Sequence, residues 1–201
     1  LDGRVSLYDK DNKLISRLGD EPKNRKKAGN GVGPADWHEG ALIAVHGCTF
    51  DSKGDLLAGS EKGPLSRISL NDEGKVEDME VVRGVPGQVH GILEAFNSLY
   101  LVSNEKEGLV RCRDVNDDGV YDQTELLLPL QGEGEHGPHG IILSADGENL
   151  ILIAGNHCPT TLETTFSSLP TPGGWIGLLP PDASKIEIIA SGLRNAYDVV
   201  L

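Results

Sequence analysis

Glu135-His136-Gly137-Pro138-His139-Gly140-Ile141-Ile142-Leu143 runs into Ser144-Ala145-Asp146-Gly147 and then into Leu150 to Ala154. The stretch reads as a short apolar strand, an Asp-Gly turn and a second apolar strand, entered through two histidines. A buried imidazole needs a hydrogen-bond partner, so two histidines bracketing Gly-Pro are not ordinary core filling.

The second half of this stretch recurs. Val45-His46-Gly47-Cys48-Thr49-Phe50 leads through Asp51-Ser52-Lys53-Gly54 to Leu56-Leu57-Ala58-Gly59. Val89-His90-Gly91-Ile92-Leu93 leads through Phe96-Asn97-Ser98 to Leu99-Tyr100-Leu101-Val102. A degenerate fourth copy begins at Ala196-Tyr197-Asp198-Val199-Val200-Leu201. Each unit continues into two more strand-like runs: Leu65 to Leu70 with Val76 to Val82, Leu109 to Arg113 with Glu125 to Leu128, and Trp175 to Leu179 with Ile186 to Ala190. Four short strands per period of about 40–50 residues are the mark of propeller blades, whereas helical repeats would carry a 3.6-residue period.

The fold expected is therefore all-β: a partial propeller of four-stranded antiparallel blades, cut from a larger protein. Residues 1–40 close one blade and add a long loop; 41–85, 86–135 and 136–190 are blades; 191–201 open the next. The inner strand of a blade lines the central channel, which sets His46, His90 and His139 around one axis. They are candidates for a channel metal site; the alternative is that each imidazole only bonds the backbone of a neighbouring blade.

Net charge is −13, which argues against nucleic acid and anionic membrane surfaces as partners. The charge is uneven: residues 1–30 hold eight Lys/Arg against five Asp/Glu, and residues 104–163 hold twelve acids against three bases. No apolar run is long enough to span a membrane. Cys48, Cys112 and Cys158 form no C-x-x-C pair; Cys48 and Cys112 read as small core residues, and Cys158 as the one to test for reactivity. Residues 19–40 make a long Gly/Pro/Lys-rich loop pinned by Trp37.

Three constellations carry chemistry. Asp114, Asn116, Asp118 and Gly119, continuing through Asp122 to Glu125, match D-x-[DN]-x-[DN]-G-x5-E. The flanks read as strands, so this is either a calcium-holding hairpin turn or a solvated acidic one. His136 has the side chain suited to take a proton near neutrality, with Glu133 and Glu135 beside it. Ser191-Gly192-Leu193-Arg194-Asn195 offers a loop with a guanidinium fork and an amide.

His136 to Gly155 together with Gly192-Leu193-Arg194-Asn195 resembles the soluble glucose/sorbosone dehydrogenases, six-bladed propellers that use pyrroloquinoline quinone, and is similar to the propeller of planctomycete-type membrane-bound dehydrogenase and haem-binding proteins. Residues 3–60 look more like NHL-repeat propellers, an architecture shared with the peptide-amidating lyase. The resemblance implies a six-bladed, TolB/NHL-like ring outside the cytoplasm, with the remaining blades supplied by the parent chain. It further implies His136 as the base, His139, Arg194 and Asn195 against the quinone, and Ca²⁺ polarising it, with a sugar or alcohol as substrate. Two alternatives stand beside this: a non-catalytic NHL-type propeller presenting loops 19–40 and 156–173 to a protein or glycan, and a three-histidine metal-dependent lyase.

Overall fold

A computed structural model describes residues 4–8, 10–19, 45–106, 108–130, 136–158 and 173–200, and every regular element among them is a strand. β1 (Arg4–Tyr8) and β2 (Leu14–Gly19) form an antiparallel hairpin. Three four-stranded antiparallel meanders follow: β3 (Val45–Phe50), β4 (Leu56–Ser60), β5 (Ser66–Leu70) and β6 (Val76–Val81); β7 (Val89–Ala95), β8 (Ser98–Ser103), β9 (Gly108–Arg113) and β10 (Gln123–Pro129); β11 (Pro138–Leu143), β12 (Leu150–Ala154), β13 (Gly174–Leu179) and β14 (Glu187–Leu193). In each sheet the strands pair in chain order.

Burial follows from this order. The second strand of each sheet, β4, β8 and β12, is buried at every position. Leu-Leu-Ala, Leu-Tyr-Leu-Val and Leu-Ile-Leu-Ile therefore run apolar at successive positions, and β8, between the other two sheets, is covered on both faces. Leu57, Leu65, Val89, Leu99, Leu101 and Val110 fill one core, between the first and second sheets. Tyr100, Val102, Leu109, Leu152 and Trp175 fill the other, between the second and third. Trp175 is fully buried and its Nε1 donates to the Cys158 carbonyl at 3.0 Å. The fourth strands β6 and β10 are mostly exposed and carry the acids.

The inner strands β3, β7 and β11 lie side by side, with β7 in the middle. Each carries a register shift at its His-Gly: between Val45 and Cys48, between Val89 and Gly91, and between Pro138 and Ile141. A bulge bends a strand and re-aims its side chain. The glycine after each histidine has a packing reason. A Cβ on Gly47 would lie 2.2 Å from the His90 carbonyl oxygen, one on Gly91 2.3 Å from that of His139, and one on Gly140 2.8 Å from that of Tyr197. Each blade thus presses the backbone of its glycine onto the carbonyl of the next blade's ring-bearing residue. Tyr197 takes the place of histidine in the fourth copy.

Some expectations change. Ser191-Gly192-Leu193 belongs to β14 instead of a loop, with Gly192 at φ +82 at its end. The fourth copy supplies no strand: 194–200 run beside β11 without pairing into the sheet. Cys48 is exposed, because the β3 bulge turns it into the channel. Cys158 is buried, and burial pushes its thiol up to about 11, so it is not a reactive thiolate. Gly19, expected to open the long loop, ends β2; Trp37 and the rest of that loop (20–40), most of 156–173, Glu133 and Glu135 lie outside the described residues.

Gly91→Ala is expected to cost about 3 kcal/mol, the upper end for overpacking, since the obstacle is backbone and cannot rotate away. Gly54→Ala, at φ +88 with nothing near its Cβ, should cost only about 1–2 kcal/mol of left-handed strain. Urea unfolding of both variants checks this; equal losses would mean that the inter-blade approach is not a constraint.

Candidate functional site at the channel end of the inner strands

The bulges bring the three repeat histidines together. His46 and His90 stack with ring centroids 4.3 Å apart, His90 and His139 lie 5.9 Å apart, and the Tyr197 ring stacks on His139 at 4.3 Å. One nitrogen from each of the three imidazoles lies within 4.8 Å of the other two. The His46 side chain is 2% exposed, His90 4% and His139 2%, so the group is shielded despite bordering a cavity of ≈ 380 Å³ lined also by Cys48, Tyr197 and Asp198.

Every histidine has its own polar companion. His46 Nε2 lies 3.7 Å from Glu61 Oε2, Asn104 Nδ2 lies 3.2 Å from His90 Nε2, and His139 Nε2 donates to Asn195 Oδ1 at 2.7 Å. Glu61 and Asn104 occupy the same place in their blades. Val45 pairs with Ser60 and Val89 with Ser103, so the residue after the second strand comes beside the histidine. In the third blade that place holds Gly155. A Cβ there would lie 2.6 Å from Asn195 Oδ1, so the vacated space admits Asn195 from beyond β14.

Burial, then the neighbouring His46 and His139 imidazoles, pushes His90 down to about 3; the Pro138 backbone opposes this weakly. His90 is accordingly neutral at physiological pH. Its Nδ1 and Asn104 Oδ1 are buried without a well-formed hydrogen bond, the Pro138 backbone being only a weak partner of the ring.

His136 stands beside this group. Its Nδ1 donates to Asn156 Oδ1 at 2.7 Å, and the exposed His157 ring lies 4.7 Å away at a 32° tilt. Backbone bonds from Gly155 N to Gly137 O (2.8 Å), His157 N to His136 O (2.9 Å) and Asn156 N to Arg194 O (2.9 Å) stitch the two ends of the third blade together. His136, His139, Arg194 and Asn195 therefore share one corner. Asn156, Asn104, Glu61 and Tyr197 were not singled out there. The signal for Glu61 and Asn104 was present, a polar residue 15 and 14 positions after each repeat histidine.

The acidic turn lies elsewhere and closes on itself. Asp114 accepts from Asp118 N and Gly119 N, Asp118 from Val120 N, and Asp122 from Val115 N. Asn116 Nδ2 donates to Asp118 Oδ2, and Glu125 accepts from Arg111 at 2.6 Å on the neighbouring strand. Among the described residues these acids do not converge as a ligand set, whereas the three histidines do.

No family model matches the chain, and no curated protein matches it in sequence. Solved structures do match. The holo PQQ domain of pyranose dehydrogenase from Coprinopsis cinerea aligns at TM-score 0.57 and 17% identity, over 76% of this chain and 39% of that one. The calcium structure of a Trichoderma reesei carbohydrate-active enzyme of family AA12 aligns at 0.59 and 15%, over 97% and 45%. A nidogen/laminin complex aligns at 0.52 and 18%, over 88% and 57%. The likeness defines the fold: these sheets are blades of a β-propeller of the kind found in PQQ-domain dehydrogenases. The chain spans roughly two fifths of the length of the two sugar-active neighbours.

The His90 imidazole, ordinarily near 6.5 and held to about 3 in the fold, makes stability pH-dependent. Between those values the unfolded chain binds a proton that the native one refuses. Stability is complete above pH 6.5 and declines as pH falls toward 3, with a slope of at most about 1.4 kcal/mol per pH unit from this group. His90→Gln should flatten the decline measured by urea unfolding at a series of pH values. An unchanged slope would remove His90 as its source.

Proposed function

We propose that the chain contributes blades to a quinone-dependent sugar or alcohol dehydrogenase acting outside the cytoplasm. The observation that carries this reading is the His136–Asn156 hydrogen bond. With Asn156 Oδ1 accepting from Nδ1–H, the basic lone pair sits on Nε2, the tautomer a general base requires. The corner is also a cradle. Gly155 leaves no Cβ where one would meet His136 O at 2.4 Å and Asn195 Oδ1 at 2.6 Å, so base and amide sit close together. The residues present fit an anionic planar cofactor: Arg194 is exposed beside them with its fork available, and Asn195 is held by His139.

Pyrroloquinoline quinone, when bound, supplies the hydride acceptor. The chain's own part is to position and deprotonate: His136 takes the hydroxyl proton of the sugar at Nε2, and Asn156 keeps the ring from turning. Calcium belongs to this proposal only as a counter-cation of the quinone. The Asp114 turn is not part of it: among the described residues its carboxylates do not converge as a ligand set, and Glu125 pairs with Arg111.

The full protein supplied with pyrroloquinoline quinone and Ca²⁺ is expected to reduce a dye at the expense of an aldose. His136→Ala should abolish turnover, and Asn156→Ala should lower kcat by about 10–100-fold, the usual cost of losing a group that orients a histidine. Undiminished dye reduction by His136→Ala would sink the assignment. A second reading, a non-catalytic binding propeller, draws on the fold likeness to the nidogen/laminin complex. It is favoured if the wild-type protein shows no quinone-dependent reduction with any aldose or alcohol, and if adding quinone leaves its melting temperature unmoved.

A further inference from the structure

We infer that His46, His90 and His139 form a binding site for a single divalent transition-metal ion of the zinc class, within the channel, adjoining the His136 corner through His139 but not using His136. Three neutral imidazoles plus an open position are a common ligand set for such an ion. Here they come from equivalent bulges in three successive blades, at the one place where the repeat sets three nitrogens close together.

The geometry is near that of a bound site. For nitrogens no more than 4.8 Å apart, a common centre lies within ~2.8 Å of each, from the geometry of an equilateral triangle. Zn–N bonds are about 2.0–2.1 Å, so each ring must close in by under an ångström. The rings now lie within 17° of parallel. A lone pair lies in its ring plane, so sharing one ion also requires the rings to fan apart by side-chain rotation. The adjoining cavity gives room for that and for a water or ligand in the fourth position.

The surroundings prepare the nitrogens. His139 already donates from Nε2 to Asn195, which leaves the lone pair on Nδ1. For His90 one change is needed. With Asn104 Nδ2 facing Nε2, both His90 Nδ1 and Asn104 Oδ1 are left buried without a well-formed hydrogen bond. Turning the Asn104 amide over lets Oδ1 accept from Nε2–H and frees the Nδ1 lone pair for the ion. Asn104 Oδ1 then gains a donor, and the ion takes the His90 Nδ1 lone pair, while Nδ2 moves to the place that Oδ1 leaves. Glu61, 3.7 Å from His46, supplies one negative charge at the edge of the site. Partners of this kind, one behind each ligating histidine, fix ring orientation and raise basicity.

The test is a titration of the chelator-treated full protein with Zn²⁺ by calorimetry and with Co²⁺ by visible absorption. The expected result is a single tight equivalent of Zn²⁺ and cobalt d–d bands of a low-coordinate site. His90→Ala and His139→Ala should lose this binding, and Asn104→Ala should weaken it about 10–100-fold, with far-ultraviolet circular dichroism unchanged in each. His136→Ala should bind as wild type does, which separates this site from the proposed base. Absence of a stoichiometric equivalent, or binding that survives His90→Ala and His139→Ala together in folded protein, overturns the inference and leaves the group as a cluster of packed rings.

Discussion

The contact between each His-Gly glycine and the carbonyl of the next blade's ring-bearing residue is the constraint on which the rest depends. Backbone meets backbone at a distance that no side chain tolerates, at Gly47, Gly91 and Gly140. That contact sets how closely the inner strands converge, and convergence is what stacks the rings. The two cores between sheets stabilise the blades, but hydrophobic packing is non-directional and would accept small changes in angle. The glycine contacts would not. They are steric limits repeated three times along the inner wall, and the register shift at each His-Gly is the local bend that satisfies them.

Much of this was legible in the residues because it is periodic. Alternation of short apolar runs with polar turns gave the twelve strands of the three blades their places, and the recurrence of His-Gly brought three imidazoles together. What escaped reading was set by bulges and by contacts between blades. Cys48 appeared to be core because its neighbours are apolar; a one-residue register shift put it on the channel face. Ser191 to Leu193 appeared to be loop because of Gly192, yet they continue β14 to its final residue before the turn. The acidic turn matched a calcium pattern at every specified position. Pattern matching does not reveal that Arg111 sits across the strand pair from Glu125 and draws its carboxylate away.

The polar companions of the histidines illustrate the same limit in a different way. Glu61 and Asn104 stand at equivalent positions in their blades, yet one is an acid and the other an amide, so a search for repeated identity passes over them. In the third blade the position is glycine, and the companion arrives from 56 residues away as Asn195. Only the pairing of the inner hairpins makes the three cases one arrangement.

Tyr197 has a consequence of its own. It adds to the cluster of rings a phenol that carries no basic nitrogen, 4.3 Å from His139 and 6.1 Å from His46, and set by the same glycine contact as the histidines. The cluster is therefore mixed: three imidazoles that carry ring nitrogens and one phenol that does not, held close together. Whatever occupies the channel meets unlike rings instead of a uniform wall, and a molecule lacking symmetry would have a preferred way round.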